Sequence, residues 1–310
     1  MIWNKKGIIF QPDKGLWWQQ YYGMLPTPIY FEESNSIRIY FSASCKDRFS
    51  RITFLDVSAD NPSEIIYKHD GFILDVGNDG TFDDCGVIPS SIIKHNSNFY
   101  LYYSGFQRHQ KTPHSIFSGL AISDDGVNFK RLKSTPILER IDCETSIRSV
   151  PSVMVEQGIF KMWYCADYGW KIMNSSIYDN KKMSLNNLKY GTSKDGISWQ
   201  TSELPIFNPE IDEFGFGRPY IHKKDNEYKL FYPIKRESET YRIGYCTSND
   251  GLNWIRKDDN IGIDVSSEGW DSQMICYPAV ISVKDKTYMF YNGNNYGETG
   301  FGYAELINLQ

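Results

Sequence analysis

Five stretches of the chain repeat one pattern of apolar and polar positions. A proline opens an apolar run, a short polar turn follows, and a second apolar run ends in two aromatics and a small residue. The stretches are residues 26–42, 89–104, 151–165, 219–233 and 278–292, closing on Tyr40-Phe41, Tyr102-Tyr103, Trp163-Tyr164, Phe231-Tyr232 and Phe290-Tyr291. The prolines Pro26, Pro89, Pro151, Pro219 and Pro278 stand 63, 62, 68 and 59 residues apart. Each stretch is two β-rich runs joined by a turn such as His95-Asn96-Ser97-Asn98 or Lys284-Asp285-Lys286, which predicts an antiparallel hairpin. A period near 60 residues predicts a repeat architecture.

A second motif follows three of the hairpins: Ser123-Asp-Asp125-Gly126…Phe129, Ser193-Lys-Asp195-Gly196…Trp199 and Ser248-Asn-Asp250-Gly251…Trp254. Asp-Gly between two strand-like runs signals a further hairpin, and a type I′ turn is expected because it needs positive φ at both central residues. Each unit then holds four antiparallel strands, one blade of a propeller. The last unit runs out after a third strand at residues 300–306. Residues 3–10 match the fourth strands that start at Trp199 and Trp254. The expected fold is all-β: a single domain over residues 1–310, a five-bladed β-propeller with four strands per blade. In it the N-terminal strand closes the last blade and removes two open sheet edges.

Composition changes this picture little. Aromatics make up 15% of the chain, with 22 Tyr and 18 Phe, which suits strands and surfaces that stack on sugar rings. The formal net charge is −5 and the basic residues are scattered, so nothing predicts a nucleic-acid partner. No run approaches the ~18 apolar residues of a membrane span, and the first residues carry no apolar core of a signal peptide. The six cysteines show no Cys-x-x-Cys or Cys/His spacing, so free thiols in a reducing cytoplasm are expected. No cofactor or metal motif is present, although a water-filled channel lined by carboxylates can hold a calcium-like ion.

In a four-stranded blade whose innermost strand comes first, the loop entering that strand and the loop after the second strand open on one face. Function concentrates on such loops. The pre-proline loops carry Trp17, Tyr22, Asp83, Asp84, Glu144, Arg148, Glu213, Arg218, Asp271, Gln273 and Tyr277. The other set adds Gln107, Arg108, Asp167, Trp170, Lys235 and Asn292. Asp84, Glu144, Glu213 and Asp271 are the candidate catalytic acids, since glycosidic-bond cleavage uses paired carboxylates. The remaining residues are candidate sugar contacts. Asp83 and Asp84 equally suit a turn. Arg148 and Arg218 enter innermost strands, where a charge must be paired or serve a ligand. His95 and His222 fall in hairpins away from this face.

The Pro-x-x-apolar hairpins and the Ser-x-Asp-Gly turns together resemble the five-bladed propeller glycosidases of families 43, 32, 68 and 130, over nearly the whole chain. The resemblance implies carbohydrate chemistry in the funnel at one end of the propeller. Families 43 and 32 place an Asp directly before the anchor proline of blades one and two and a Glu near that of blade three; here those positions hold Leu25, Ile88, and Ser149 with Val150. Three readings follow. One is a divergent carbohydrate-active enzyme using the displaced carboxylates. Another is a protein whose arginines hold an anionic sugar, sugar phosphate or nucleotide sugar, as in phosphorolysis or polysaccharide biosynthesis. The third is a non-catalytic sugar-binding or scaffold propeller.

Overall fold

The computed structural model describes residues 1–307. Strand β1 (Trp3–Phe10) leads into a four-stranded antiparallel sheet of β2 (Tyr21–Phe31), β3 (Ser36–Ser44), β4 (Ser50–Ser58) and β5 (Ile65–Lys68). The same order recurs in β6 (Val87–His95), β7 (Asn98–Arg108), β8 (His114–Ser123) and β9 (Lys130–Arg131). It recurs again in β10 (Ile147–Glu156), β11 (Ile159–Ile172), β12 (Lys182–Ser193) and β13 (Gln200–Thr201). In the next group the first strand is broken at Gly217-Arg218-Pro219 into β14 (Glu213–Phe216) and β15 (Tyr220–Lys224). Both halves pair with β16 (Glu227–Arg236), followed by β17 (Arg242–Ser248) and β18 (Ile255–Arg256). The last group has β19 (Cys276–Val283), β20 (Lys286–Asn292) and β21 (Phe301–Leu306), and β1 pairs antiparallel with β21 as its fourth strand. Short parallel bridges, β8 to β10 and β12 to β14, join the middle three groups into one continuous sheet.

The first strands pack side by side in the order β2, β6, β10, β15, β19 and back to β2. They form no ladders with one another, and serine side chains bridge them instead. Ser91 Oγ accepts from Val153 N at 3.1 Å, and Ser152 Oγ accepts from Ile221 N at 2.9 Å. Between the faces of neighbouring groups lie the apolar clusters, such as Tyr40, Phe54, Leu101 and Phe117 between the first and second.

The Ser-x-Asp-Gly segments differ from the expected type I′ turn: only the glycines Gly126, Gly196 and Gly251 have positive φ. The aspartate does the turning with its side chain. Asp125 Oδ1 accepts from the backbone N–H of Val127 and Asn128 at 2.8 and 2.7 Å, while Ser123 Oγ accepts from Gly126 N at 3.0 Å. This leaves the glycine carbonyl pointing outward to an aromatic of the preceding group. Tyr40 Oη donates to Gly126 O at 2.7 Å, Tyr102 Oη to Gly196 O at 3.0 Å and Trp163 Nε1 to Gly251 O at 3.2 Å. Tyr288 Oη donates to Ala59 O at 3.0 Å, linking the last group to the first. The turns and the aromatic pairs are therefore one device that locks neighbouring groups. The fourth strands they lead into, β9, β13 and β18, are two residues each, shorter than the pattern predicts.

Candidate functional site

The residue directly before each anchor proline is where the sequence bends the innermost strand. The β2–β3, β6–β7, β10–β11 and β19–β20 ladders shift register at these prolines, and the fourth group breaks there. Leu25, Val150 and Tyr277 take up positive φ of 55°, 46° and 52°, a conformation costing of order 1–3 kcal/mol per residue that clusters at functional sites. The bend turns five side chains to one place: Leu25, Ile88, Val150, Arg218 and Tyr277 all line a single cavity of about 830 Å³.

The walls come from the next loops and strands outward: Phe106, His114, Trp170, Tyr178, Asn186, Lys235, Tyr241, Gln273 and Tyr296. Tyr277 and Tyr296 stack with centroids 6.5 Å apart, Tyr241 meets Tyr296 edge-on at 5.1 Å, and Trp170 meets His114 edge-on at 5.5 Å. Four cations, Lys181, Lys182, Arg218 and Lys235, face this space, and among the described residues no Asp or Glu does.

Arg218 is 1% exposed and, among the described residues, has no carboxylate partner. Its Nη1 donates to Pro26 O, and its Nη2 donates to Thr27 Oγ1 and Ser90 O, each at 2.9 Å. Those acceptors belong to β2 and β6, the two first strands that do not neighbour β15, so the guanidinium spans the interior. Its Nε is buried without a partner among the described residues. Burial pulls its pKa down to about 10, against the opposing pull of Tyr220 and Tyr277, so it stays charged at neutral pH. Lys235 is buried too, and burial brings its pKa down to about 8. Its ammonium donates to Ser184 O, Ser184 Oγ and Asn186 Oδ1, all neutral groups, while the Asn186 Nδ2 has no partner. Burial likewise drops His114 to about 4, leaving it neutral, and pushes Tyr296 up to about 12.

Of the residues the sequence singles out, the structure brings Trp170, Arg218, Lys235, Gln273 and Tyr277 to the cavity and leaves the others outside it. The four candidate acids do not line it, because each is held elsewhere. Glu144 accepts from Arg148 Nε at 2.5 Å, Lys189 Nζ at 2.6 Å and Tyr164 Oη at 3.1 Å, all within the protein interior. Arg148 therefore sits in a buried ion cluster rather than at the cavity. Glu213 forms a fork with Arg256 of β18, 2.7 and 2.9 Å; burial works against its charge, but Arg256 wins and its pKa is lowered. Asp271 accepts from Lys5 of β1 at 2.8 Å and Tyr291 Oη at 2.9 Å. Asp84 accepts from Gly80 N at 2.9 Å in a turn, and its neighbour Asp83 accepts from Arg131 of β9 at 2.7 Å and Tyr103 Oη at 3.0 Å. Asp83, Glu213 and Asp271 thus share one job: each ties the start of a group to that group's fourth strand.

The remaining candidates also stand apart from the cavity. Trp17 is 59% exposed and packs edge-on to Phe72. Tyr22 lies beneath Arg48. Gln107 lies opposite Ser115 in the β7–β8 ladder, and Arg108 donates to Asp47 O at 2.6 Å. Asp167 accepts from the backbone N–H of Ser146 and Ile147. Asn292 clamps Leu25 N, Gly23 O and Gly300 O at 2.6–3.0 Å. What the sequence reading missed is the β11–β12 hairpin with Tyr178, Lys181, Lys182 and Asn186, and the apolar floor of Leu25, Ile88 and Val150. The floor had a signal, since all three stand at the same place relative to the repeat's proline. Among the described residues no helix is long and apolar enough to cross a membrane, and no cluster of three or more His, Cys, Asp or Glu stands ready for a metal.

A nearly all-β chain whose first strands face one cavity has the fold of the β-propeller glycosidases. It superposes on BT0996 in its RGII complex with a TM-score of 0.75 (19% identity, 99% of this chain and 92% of that one). The corresponding values are 0.66 for a thermostable family-43 glycoside hydrolase (18%, 92% and 88%) and 0.71 for a GH130 glycoside hydrolase targeting β-1,2 mannosidic linkages in Candida mannan (14%, 98% and 93%). In sequence it is 28% identical to the β-1,2-mannobiose phosphorylase of Thermoanaerobacter sp. over 131 residues, 40% of this chain and 43% of that one. No protein-family model matches. The chain belongs to the family of the uncharacterized protein Rv1502 of Mycobacterium tuberculosis, to which it is 33% identical over 309 residues, 99% of this chain and all of that one.

Proposed function

We propose that this protein is a carbohydrate-active propeller whose cavity takes an anionic sugar. The observation that carries the reading is Arg218: a buried guanidinium facing the cavity without a carboxylate, with an open Nε. An unmet buried donor costs about 1–3 kcal/mol, and an uncompensated buried charge costs more. A ligand oxyanion relieves both costs, and Lys235 and the open Asn186 amide add to the attraction. The aromatic walls suit the apolar faces of a sugar ring. The propeller is read as one domain of five four-stranded blades, supported by the cyclic packing of the first strands and by β1 completing the last group. Six unpaired cysteines support a reducing, cytoplasmic setting.

Paired-carboxylate hydrolysis needs two acids flanking the scissile bond, and the described lining offers none. Activated sugars carry their own leaving group, which favours phosphate- or nucleotide-linked substrates over plain glycosides, as in glycan assembly or phosphorolysis run in the synthetic direction. The same absence of acids favours a second reading, saturable binding without turnover.

Calorimetry with glucose 1-phosphate, glucuronate and glucose tests the anionic reading. The two anions should bind at least about tenfold more tightly than glucose, the worth of one charge-assisted contact. Arg218→Lys keeps the charge but loses the planar fork, so anion affinity should fall about tenfold while glucose affinity holds. Equal affinity for glucose and the anions refutes the reading. Incubation with nitrophenyl glycosides, sugar phosphates and nucleotide sugars then separates turnover from binding.

A further inference from the structure

The β11–β12 hairpin departs from the repeat. Its strands run 14 and 12 residues, against 11 and 10 in the preceding group and 7 and 6 in the last. The surplus carries residues 173–181 to the cavity. The extension is not loose: Met173, Tyr178 and Phe214 form a small buried core of their own. It is also tied to both flanking groups, by Tyr178 Oη donating to Glu239 O at 3.1 Å and Lys182 Nζ donating to Lys111 O at 3.0 Å. From this fixed support Lys181 and Lys182 face the cavity. Among the described residues neither ammonium meets a carboxylate, and Lys181 Nζ has no polar partner. Positive charge therefore stands at two levels: an outer pair of adjacent lysines, Lys181 exposed and Lys182 half-buried, and the almost wholly buried Arg218.

A sugar monophosphate presents one anionic group and cannot answer both levels. The cavity, about 830 Å³, lies toward the upper end of the roughly 300–1,000 Å³ found for small-molecule sites, so it has room for more. We infer that the ligand is a sugar carried on a diphosphate, with Lys181 and Lys182 gripping the diphosphate at the mouth. Lysines bind phosphate as point charges, and two lysines consecutive in the chain, both lining the cavity, can each meet one phosphate of the pair. The inference rests on the anionic-sugar reading and adds the diphosphate and the residues that select it. The diphosphate can be esterified to a nucleoside or to a prenyl chain; the chemistry facing the lysines is shared.

Titration calorimetry on the full chain, at constant ionic strength, tests it with four probes: UDP-glucose, GDP-mannose, farnesyl diphosphate and glucose 1-phosphate. At least one diphosphate should bind about tenfold or more tightly than glucose 1-phosphate, as one added charge-assisted contact predicts. The nucleotide and prenyl arms identify which ester is used. In the variant Lys181→Ala, which leaves the tie of Lys182 to Lys111 in place, that advantage should shrink about fivefold or more, while glucose 1-phosphate affinity falls by less. Diphosphates no tighter than glucose 1-phosphate, or a diphosphate advantage that survives the substitution, overturn the inference while leaving the anionic-sugar reading intact. Failure of all four probes to bind, with neutral glucose binding, overturns both.

Discussion

Replacing Glu144 by Gln separates structure from catalysis at one of the four candidate acids. Glu144 is 1% exposed and neutralises two nearly buried cations, Arg148 at 2.5 Å and Lys189 at 2.6 Å. The amide keeps the shape and loses the charge, so both cations stay buried with no counter-ion. Breaking a buried pair in this way costs about 3–5 kcal/mol. Unfolding entropy of about 2.1 cal/mol/K per residue over 310 residues is about 0.65 kcal/mol/K. The melting temperature should therefore fall by about 5–8 °C. Differential scanning calorimetry reads that shift, and glucose 1-phosphate titration below the new transition should return the wild-type affinity. A Glu144→Gln protein that melts with the wild type and loses ligand binding or turnover would refute the structural assignment.

Three further outcomes follow from the geometry. Anion binding should weaken as pH rises through about 8, because Lys235, whose folded pKa is lowered to that value chiefly by burial, loses its charge there; an affinity flat from pH 7 to 9 contradicts this. Deleting residues 1–11 strips the fourth strand from the last group and removes the buried Trp3 and Phe10, at about 1.5–3 kcal/mol for each side chain before any hydrogen bond is counted. A truncated chain with an unchanged melting temperature rules that out. Thiol titration of the denatured, unreduced protein should find six thiols, and the native protein should react fastest at the exposed Cys143; two or fewer in the denatured state would mean disulfides.

The hairpins were legible in the sequence because proline, apolar run, polar turn and paired aromatics recur at nearly constant spacing, and each part of that pattern has a local cause. The role of β1 was legible too, from the missing fourth strand at the other end of the chain. The Asp-Gly turn escapes a local reading because its geometry is set by the aspartate carboxylate and the serine hydroxyl, whose bonds depend on the whole six-residue loop. The acids mislead for a different reason. Charge beside an innermost strand reads alike whether it serves a ligand or a clasp. The choice is made by partners far off in sequence, Lys5 for Asp271 and Arg256 for Glu213. Arg218 and Tyr277 reach the cavity because they directly precede their prolines. Position within the repeat is a better guide than residue type, and it would have drawn in Leu25, Ile88 and Val150.

Arg218 reaches from one first strand to the two that do not adjoin it. One side chain therefore holds three of the five first strands at fixed separations where no ladder joins them. A change in its hydrogen bonds is felt by all three strands at once, so the cavity lining and the packing of the first strands respond together.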